Sequence, residues 1–406
     1  MAKLLMDVRP LKHSPPFRRM WLGNGLSAIG NQMTNFAVAL QVYTITHSAI
    51  AVGAVGLATG IPAVLFGLLG GTLIDAVDRR KLVLLTSSLL TLVSTAFAIQ
   101  AYAELNQVWL LYLLVAIEAT IGSVNGPARR TFIPRLLPPD QITAGAALTM
   151  LSMHSALIAG PALAGVIAAA WGLKVCYLID VLTFAAALYG IARLPSMVPE
   201  GTKARPGFKA VGAALKFIRG NKVITGSFLA DMNATILGAP FALFPAINEA
   251  HFGGSPQTLG LLTTAIAVGG VLGSGLSGPV GHITRQGRAM LIGGAVWGAG
   301  LIGFGLAQNF ALALAMLVIA GTADVICVVL RTTMVQVTTP DEFRGRVSAA
   351  EMVVGAACPQ LGNFRAGAIG SLASPAISVV TGGIATIAGS ALLGLFLPAF
   401  ARYRAK

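Results

Sequence analysis

Acidic side chains are scarce in this chain: 14 Asp and Glu stand against 28 Lys and Arg in 406 residues. Charged residues of both signs make up only 10%, against ~25% in soluble domains. A soluble domain of this length could not cover its surface with so few charges, which excludes a water-soluble enzyme. Cysteine is scarcer still. Cys176, Cys327 and Cys358 all sit inside apolar stretches, with no CxxC spacing and no His neighbour. That pattern argues against a disulfide framework or a zinc site and leaves them as small apolar side chains. Neither HExxH nor GxSxG occurs, and His154 is the only mid-span histidine, so the equipment of an intramembrane enzyme is missing. No GxxxxGK[ST] loop is present, so ATP is not the fuel. The basic residues fall in short interruptions without interleaved aromatics, a poor match to a nucleic-acid surface. No cofactor and no metal are expected.

Apolar residues, in contrast, make up 55% of the chain, glycine adds 48 positions, and the mean hydropathy is +0.79. Such a composition belongs to an all-α polytopic membrane protein, with glycine where helices approach closely in lipid. Windows of ~20 residues, the length that spans a bilayer as a helix, give twelve segments between residues 20 and 400. The first 19 residues are basic and lack an apolar run, so no cleavable signal peptide is expected. A stretch over 195–222, with Pro195, Pro199, Pro206 and six Lys or Arg, reads as a linker between a six-helix half over 1–194 and a second over 223–406. Twelve alternating spans put 25 of the 28 basic residues on one side and Lys174 alone on the other, with Arg331 and Arg365 inside spans. The positive-inside rule then places both termini in the cytoplasm of a bacterial inner membrane.

The two halves carry a repeat. Arg130-Thr131 is followed by Pro139-Asp140, and Arg331-Thr332 by Pro340-Asp341, both at an offset of 201. Both lie toward the cytoplasmic end of an even-numbered span. Parallel six-helix repeats about a central cavity are a transporter architecture.

The loop after the second span reads Gly70-Gly71-Thr72-Leu73-Ile74-Asp75-Ala76-Val77-Asp78-Arg79-Arg80-Lys81. It resembles the G-x-L-x-D-x-x-x-R-[RK] signature of the major facilitator superfamily, departing from it at Ala76 and Asp78. The fifth span holds Gly160-Pro161 and Gly165, which resembles that superfamily's antiporter motif. Thr46-His47-Ser48, Ala144 to Met150, and Thr339-Pro340 followed by Arg344-Gly345-Arg346-Val347 are similar to the branch holding enterobactin-exporter-like and macrolide-efflux-like proteins. The resemblance implies a major facilitator fold and a monomeric, proton-driven exporter of small organic molecules. Its cargo would be a siderophore or related secreted metabolite, or alternatively a drug such as a macrolide. It also implies a conformational latch built from Gly71, Asp75, Arg79 and Arg80. In that latch the carboxylate faces the positive end of the eleventh helix. A membrane sensor or assembly partner of the same fold is the competing class; it would call for a soluble effector domain or a long tail.

Ionisable groups inside spans are costly and therefore functional candidates. Glu118 shares a helical stripe with Gly122 and Asn125. Asp231 lies in the seventh span and Asp180 in the sixth. With no base nearby in sequence, a desolvated carboxylate favours its neutral form and is suited to carry a coupling proton. Asp324, Arg331, Glu351 and Arg365 read as an intramembrane charge network. Asn24, Asn31 and Asn35 occupy one face of the first span beside Gln32, facing cargo or a neighbouring helix, since amides facing lipid are costly. That span has no carboxylate, which suits neutral or anionic cargo better than cations.

Overall fold

In lipid, an apolar run can satisfy its own backbone polar groups only by closing into a helix, and helices are what these runs form. The structure, a computed structural model, describes residues 7–195, 197, 216–276, 278, 280 and 282–404, with backbone alone at 68–76 and 345. Among the described residues there are twelve long helices. The first six are α1 (Pro15–Thr46), α2 (Ala49–Ala76), α3 (Arg79–Tyr102), α4 (Val108–Arg130), α5 (Ile142–Trp171) and α6 (Leu173–Ala192). The second six are α7 (Lys222–Gly238), α8 (Pro256–Gly275), α9 (Gln286–Leu306), α10 (Phe310–Thr338), α11 (Asp341–Leu372) and α12 (Pro375–Phe396). The 24 residues of α3 rise ~36 Å, enough for a hydrocarbon core of ~30 Å. Ten of the twelve are long and apolar enough to cross a membrane. The other two, α1 and α11, carry the amide stripe and the densest set of in-helix charges, which lowers their hydropathy without shortening them. The expected linker falls mostly outside the described residues.

Helix starts are set by polar caps, which satisfy backbone N–H groups that have no partner within the helix. The Asp78 side chain accepts from the backbone N–H of Arg80 and Lys81 at the start of α3. Asn221 does the same for α7, taking Val223 and Ile224, and Ser255, Asn309 and Ser374 cap α8, α10 and α12. Gly172, at φ 84°, turns the chain between α5 and α6, a conformation that L side chains resist.

The helices group into two compact units. One comprises Met1–Gln41 with Pro62–Arg205, the other Val42–Ile61 with Pro206–Lys406. This differs from a first half running unbroken to residue 194: the end of α1 and the first half of α2 belong with the later helices. The division crosses α2 at Pro62, a proline inside the helix that lacks the N–H for one backbone bond. In the first unit α3 packs on α4 and α6, and α5 on α6. Phe17, Val83, Ala128, Phe132, Leu148 and Ile191 form its buried cluster. In the second unit α8 packs on α10, α9 on α10 and α12, and α7 on α11 and α12. Ala49–Ile61 packs there against α11, where the backbone N–H of Ile50 donates to Ser371 Oγ at 3.0 Å. Outward-facing side chains are large and apolar: Leu92, Trp109, Leu306, Leu395 and Phe396 are all more than 60% exposed, a surface that water would not tolerate and lipid accepts.

Candidate functional site

The polar groups of the first unit converge along the seam where α1 meets α3, α4 and α6. Asn31 Nδ2 donates to Glu118 Oε1 from α4 in a short hydrogen bond. Asn35 donates in turn to Gln32 Oε1 at 3.0 Å and to Asn31 Oδ1 at 3.4 Å. At the other end of the stripe, Asn24 Oδ1 accepts from Arg129 Nη1 at 2.7 Å. Arg129 Nη2 reaches Ser87 Oγ of α3 at 2.9 Å. Asn125 Nδ2 donates to Thr86 Oγ1 and Ser87 Oγ, so this amide ties α4 to α3. Asn24 and Asn31 are thus interhelical partners, while Asn35 bonds within α1; Glu118 and Arg129, which the first two meet, lie on one face of α4, 11 residues and ~16 Å apart along it.

Asp180 is fully buried on α6. Its Oδ2 accepts from Thr34 Oγ1 at 2.9 Å and Ser94 Oγ at 2.7 Å, while Oδ1 is buried with no hydrogen-bond partner among the described residues. No ion pair reaches Asp180 or Glu118 among the described residues. A Cβ on Gly30 would collide with Asp180 and Thr183, so glycine is what lets α1 lie on this carboxylate. A Cβ on Gly160 would likewise overlap Gln32. The motif Gly160, Pro161 and Gly165 is buried, and its glycine brings α5 against the polar face of α1.

The second unit is organised by charge. Arg331 of α10 donates through Nη1 to Asp231 Oδ2 of α7 at 2.8 Å, and its Nε lies 3.8 Å from Glu351 Oε1 of α11. Arg331 and Asp231 side chains are each 11% exposed. Asp231 and Asp324 line a small cavity of about 10 Å³ with Trp297, Cys327 and Ser390, room for about one water molecule. Trp297 Nε1 is buried there with no hydrogen-bond partner among the described residues. Glu351 also lines a wider cavity of about 430 Å³ between α10 and α11, with Gln336, Thr339, Arg344 and Ser348. Of the residues read as a charge network, Arg331 and Glu351 come together, and the acid nearest Arg331 is Asp231, from outside that set. Arg365 does not pair with Glu351, 14 residues away on the same helix and so ~21 Å along it; it lies against α12 at Gly382.

At the start of α3, Arg80 Nη2 donates to the carbonyl of Ala192 and the backbone N–H of Arg79 to that of Met197. Both contacts lie within the first unit. The side chains at Gly71 and Asp75 lie outside the described residues. The three cysteines are free and buried. No group of three or more potential metal ligands occurs among the described residues.

Sequence reasoning missed Arg129, Thr34 and Ser94. Arg129 was countable from spacing, since 118, 122, 125 and 129 fall on one helical face; assigning it to a cytoplasmic loop hid it. Thr34 and Ser94 gave no such signal.

Comparison with known proteins places this geometry. The family of transmembrane secretion effectors matches residues 7–402. The enterobactin exporter EntS of Citrobacter koseri is 27% identical over 405 residues, covering 98% of this chain and 96% of that one. The enterobactin exporter EntS of Escherichia coli O127:H6 is 27% identical over 406 residues with the same coverage. Among solved structures, the nucleoside transporter NupG superposes with a TM-score of 0.78 at 13% identity, over 96% of this chain and 100% of that one. A bacterial homologue of the iron transporter ferroportin, in an inward-facing state, gives 0.71 at 15% identity, over 95% and 98%. At these identities the solved structures speak for the fold alone, an all-helical transporter fold. Matched along almost its whole length, this multi-pass membrane chain belongs to the transmembrane secretion effector family of the major facilitator superfamily.

Proposed function

We propose that this chain is a proton-coupled secondary exporter of a small organic molecule of the secreted-metabolite kind, such as a siderophore. It would work by alternating access as a monomer in the bacterial inner membrane, both termini in the cytoplasm. The observation that carries the reading is Glu118, a membrane-embedded carboxylate held by an amide instead of a base. Such a group has no fixed counter-charge to keep it ionised, so it can take and release a proton as its access to water changes. Asp180, bound by two hydroxyls, is likewise held without a base among the described residues. In the second unit, Glu351 sits between a solvent-sized cavity and Arg331, with Asp231 and Asp324 beyond it. That order of groups supports a proton route through the later helices. The two enterobactin exporters matched over nearly their full length support a metabolite as cargo.

Purified chain reconstituted in liposomes is expected to accumulate enterobactin when a pH gradient is imposed, and to stop when a protonophore collapses that gradient. Accumulation indifferent to the gradient would remove proton coupling. The Asp75 loop supplies a separate expectation for the conformational cycle. Asp75→Asn should cut the transport rate at unchanged membrane abundance, measured by quantitative blotting beside the flux assay. An unchanged rate would rule out the latch.

A further inference from the structure

Each unit holds an arginine late in its fourth helix, and the two are met in opposite ways, although the repeat itself aligns Arg331 with Arg130, the neighbour of Arg129. Arg331 lies on the fourth helix of the second six-helix repeat and leans on the first helix of that repeat, where Asp231 meets it at 2.8 Å; Glu351 adds a second acid. Arg129 lies on the fourth helix of the first repeat and also leans on the first, but the group that meets it there is Asn24. Its other contact is a hydroxyl, Ser87. No carboxylate is paired with Arg129 among the described residues, and its Nε is buried with no hydrogen-bond partner. An amide oxygen orients a guanidinium without neutralising it. The carbonyls at the end of α4 contribute only about half a negative charge. A buried, unsatisfied donor is also costly, and more so on a charged group.

We infer that Arg129 is the binding group for an anionic oxygen of the cargo, a carboxylate or a group of like charge; this rests on the export reading above. Two of the five guanidinium N–H groups are engaged, and the rest include Nε–H, half of the fork with which arginine takes a carboxylate at two points. The side chain as a whole is half-buried, with Nε in its covered part. Asn24 and Ser87 hold the fork in place.

The test gives Arg129 the internal counter-charge that Arg331 already has. Equilibrium binding of radiolabelled salicylate and of its uncharged amide, salicylamide, is measured on the purified full chain. The wild type should prefer salicylate. Asn24→Asp should weaken salicylate ~10–100-fold, the worth of a charge-assisted hydrogen bond, and leave salicylamide unchanged. Asn24→Ser, which keeps the position neutral, should retain the preference, separating loss of charge from loss of fold. Arg129→Gln should abolish it, and Arg129→Lys should keep part of it, as a point charge does. Equal binding of both probes by the wild type, or undiminished salicylate binding by Asn24→Asp, would overturn the inference. Neither measurement involves a proton gradient. A wild type that binds salicylate selectively but shows no gradient-driven transport would uphold the site and remove the exporter reading instead.

Discussion

Glu118→Gln is expected to abolish uphill transport by this chain while leaving exchange of cargo across the membrane at its wild-type rate. The glutamine keeps Oε1 and so can still accept from Asn31 Nδ2; helix packing and the amide stripe are undisturbed. What disappears is the ability to bind and release a proton. Each proton entering down a 100 mV potential supplies ~2.3 kcal/mol, enough for a ~50-fold cargo gradient. Coupled to one proton, the wild type should approach that ratio in liposomes, and the variant should settle near unity. Counterflow, in which labelled cargo exchanges for unlabelled without any gradient, should survive. Asp231→Asn is the companion experiment. If both variants accumulate cargo normally, the coupling group is elsewhere, and Asp180 is the next to replace.

Arg331→Met should produce the largest loss of stability. It removes the guanidinium between Asp231 and Glu351 and leaves both carboxylates without their cation. Breaking a buried pair from one side costs ~3–5 kcal/mol, because the remaining charge stays desolvated. With Arg331 and Asp231 each 11% exposed, solvent screening does little to reduce that figure. Thermal unfolding in detergent should fall steeply for Arg331→Met, and recover in large part when Asp231→Leu is added, since two apolar side chains of similar volume replace an ion pair at little cost. A single-variant loss below ~1 kcal/mol, the scale of a surface pair, would show that the charges are already reached by water.

Much of this was legible beforehand because lipid enforces simple rules. The alternation of apolar runs and basic loops gave the twelve helices, and the scarcity of in-span charge made Glu118, Asp180 and Asp231 conspicuous. What sequence could not give was partnership. Asp231 had no base near it in the chain, yet Arg331, 100 residues on, meets it at hydrogen-bond distance. Glu118 was placed in the same class as Asp231, but it meets Asn31, 87 residues before it, and no cation. The distinction between a carboxylate free to titrate and one committed to an ion pair lies wholly in such long-range contacts. Arg365 was grouped with Arg331 and Glu351 because all lie inside spans, yet it lies against α12 at Gly382. The unit boundary had one local mark, Pro62 inside α2, but which helices each half of α2 joins is again a matter of long-range contacts.

The assignment of Val42–Ile61 to the second unit has a consequence for biosynthesis. This segment leaves the ribosome early, whereas the part of α11 that it packs against, near Ser371, is translated about 300 residues later. At ~5–20 residues per second the wait is roughly 15–60 s. Through that interval the edge of α2 that carries Gly53, Gly56 and Gly60, which later meets α11, is left to lipid, the insertion machinery or the chain already made. Completion of the second unit must therefore draw back a piece of chain inserted long before, and a nascent protein halted after its first six helices would carry an orphaned half-helix as a mark for quality control.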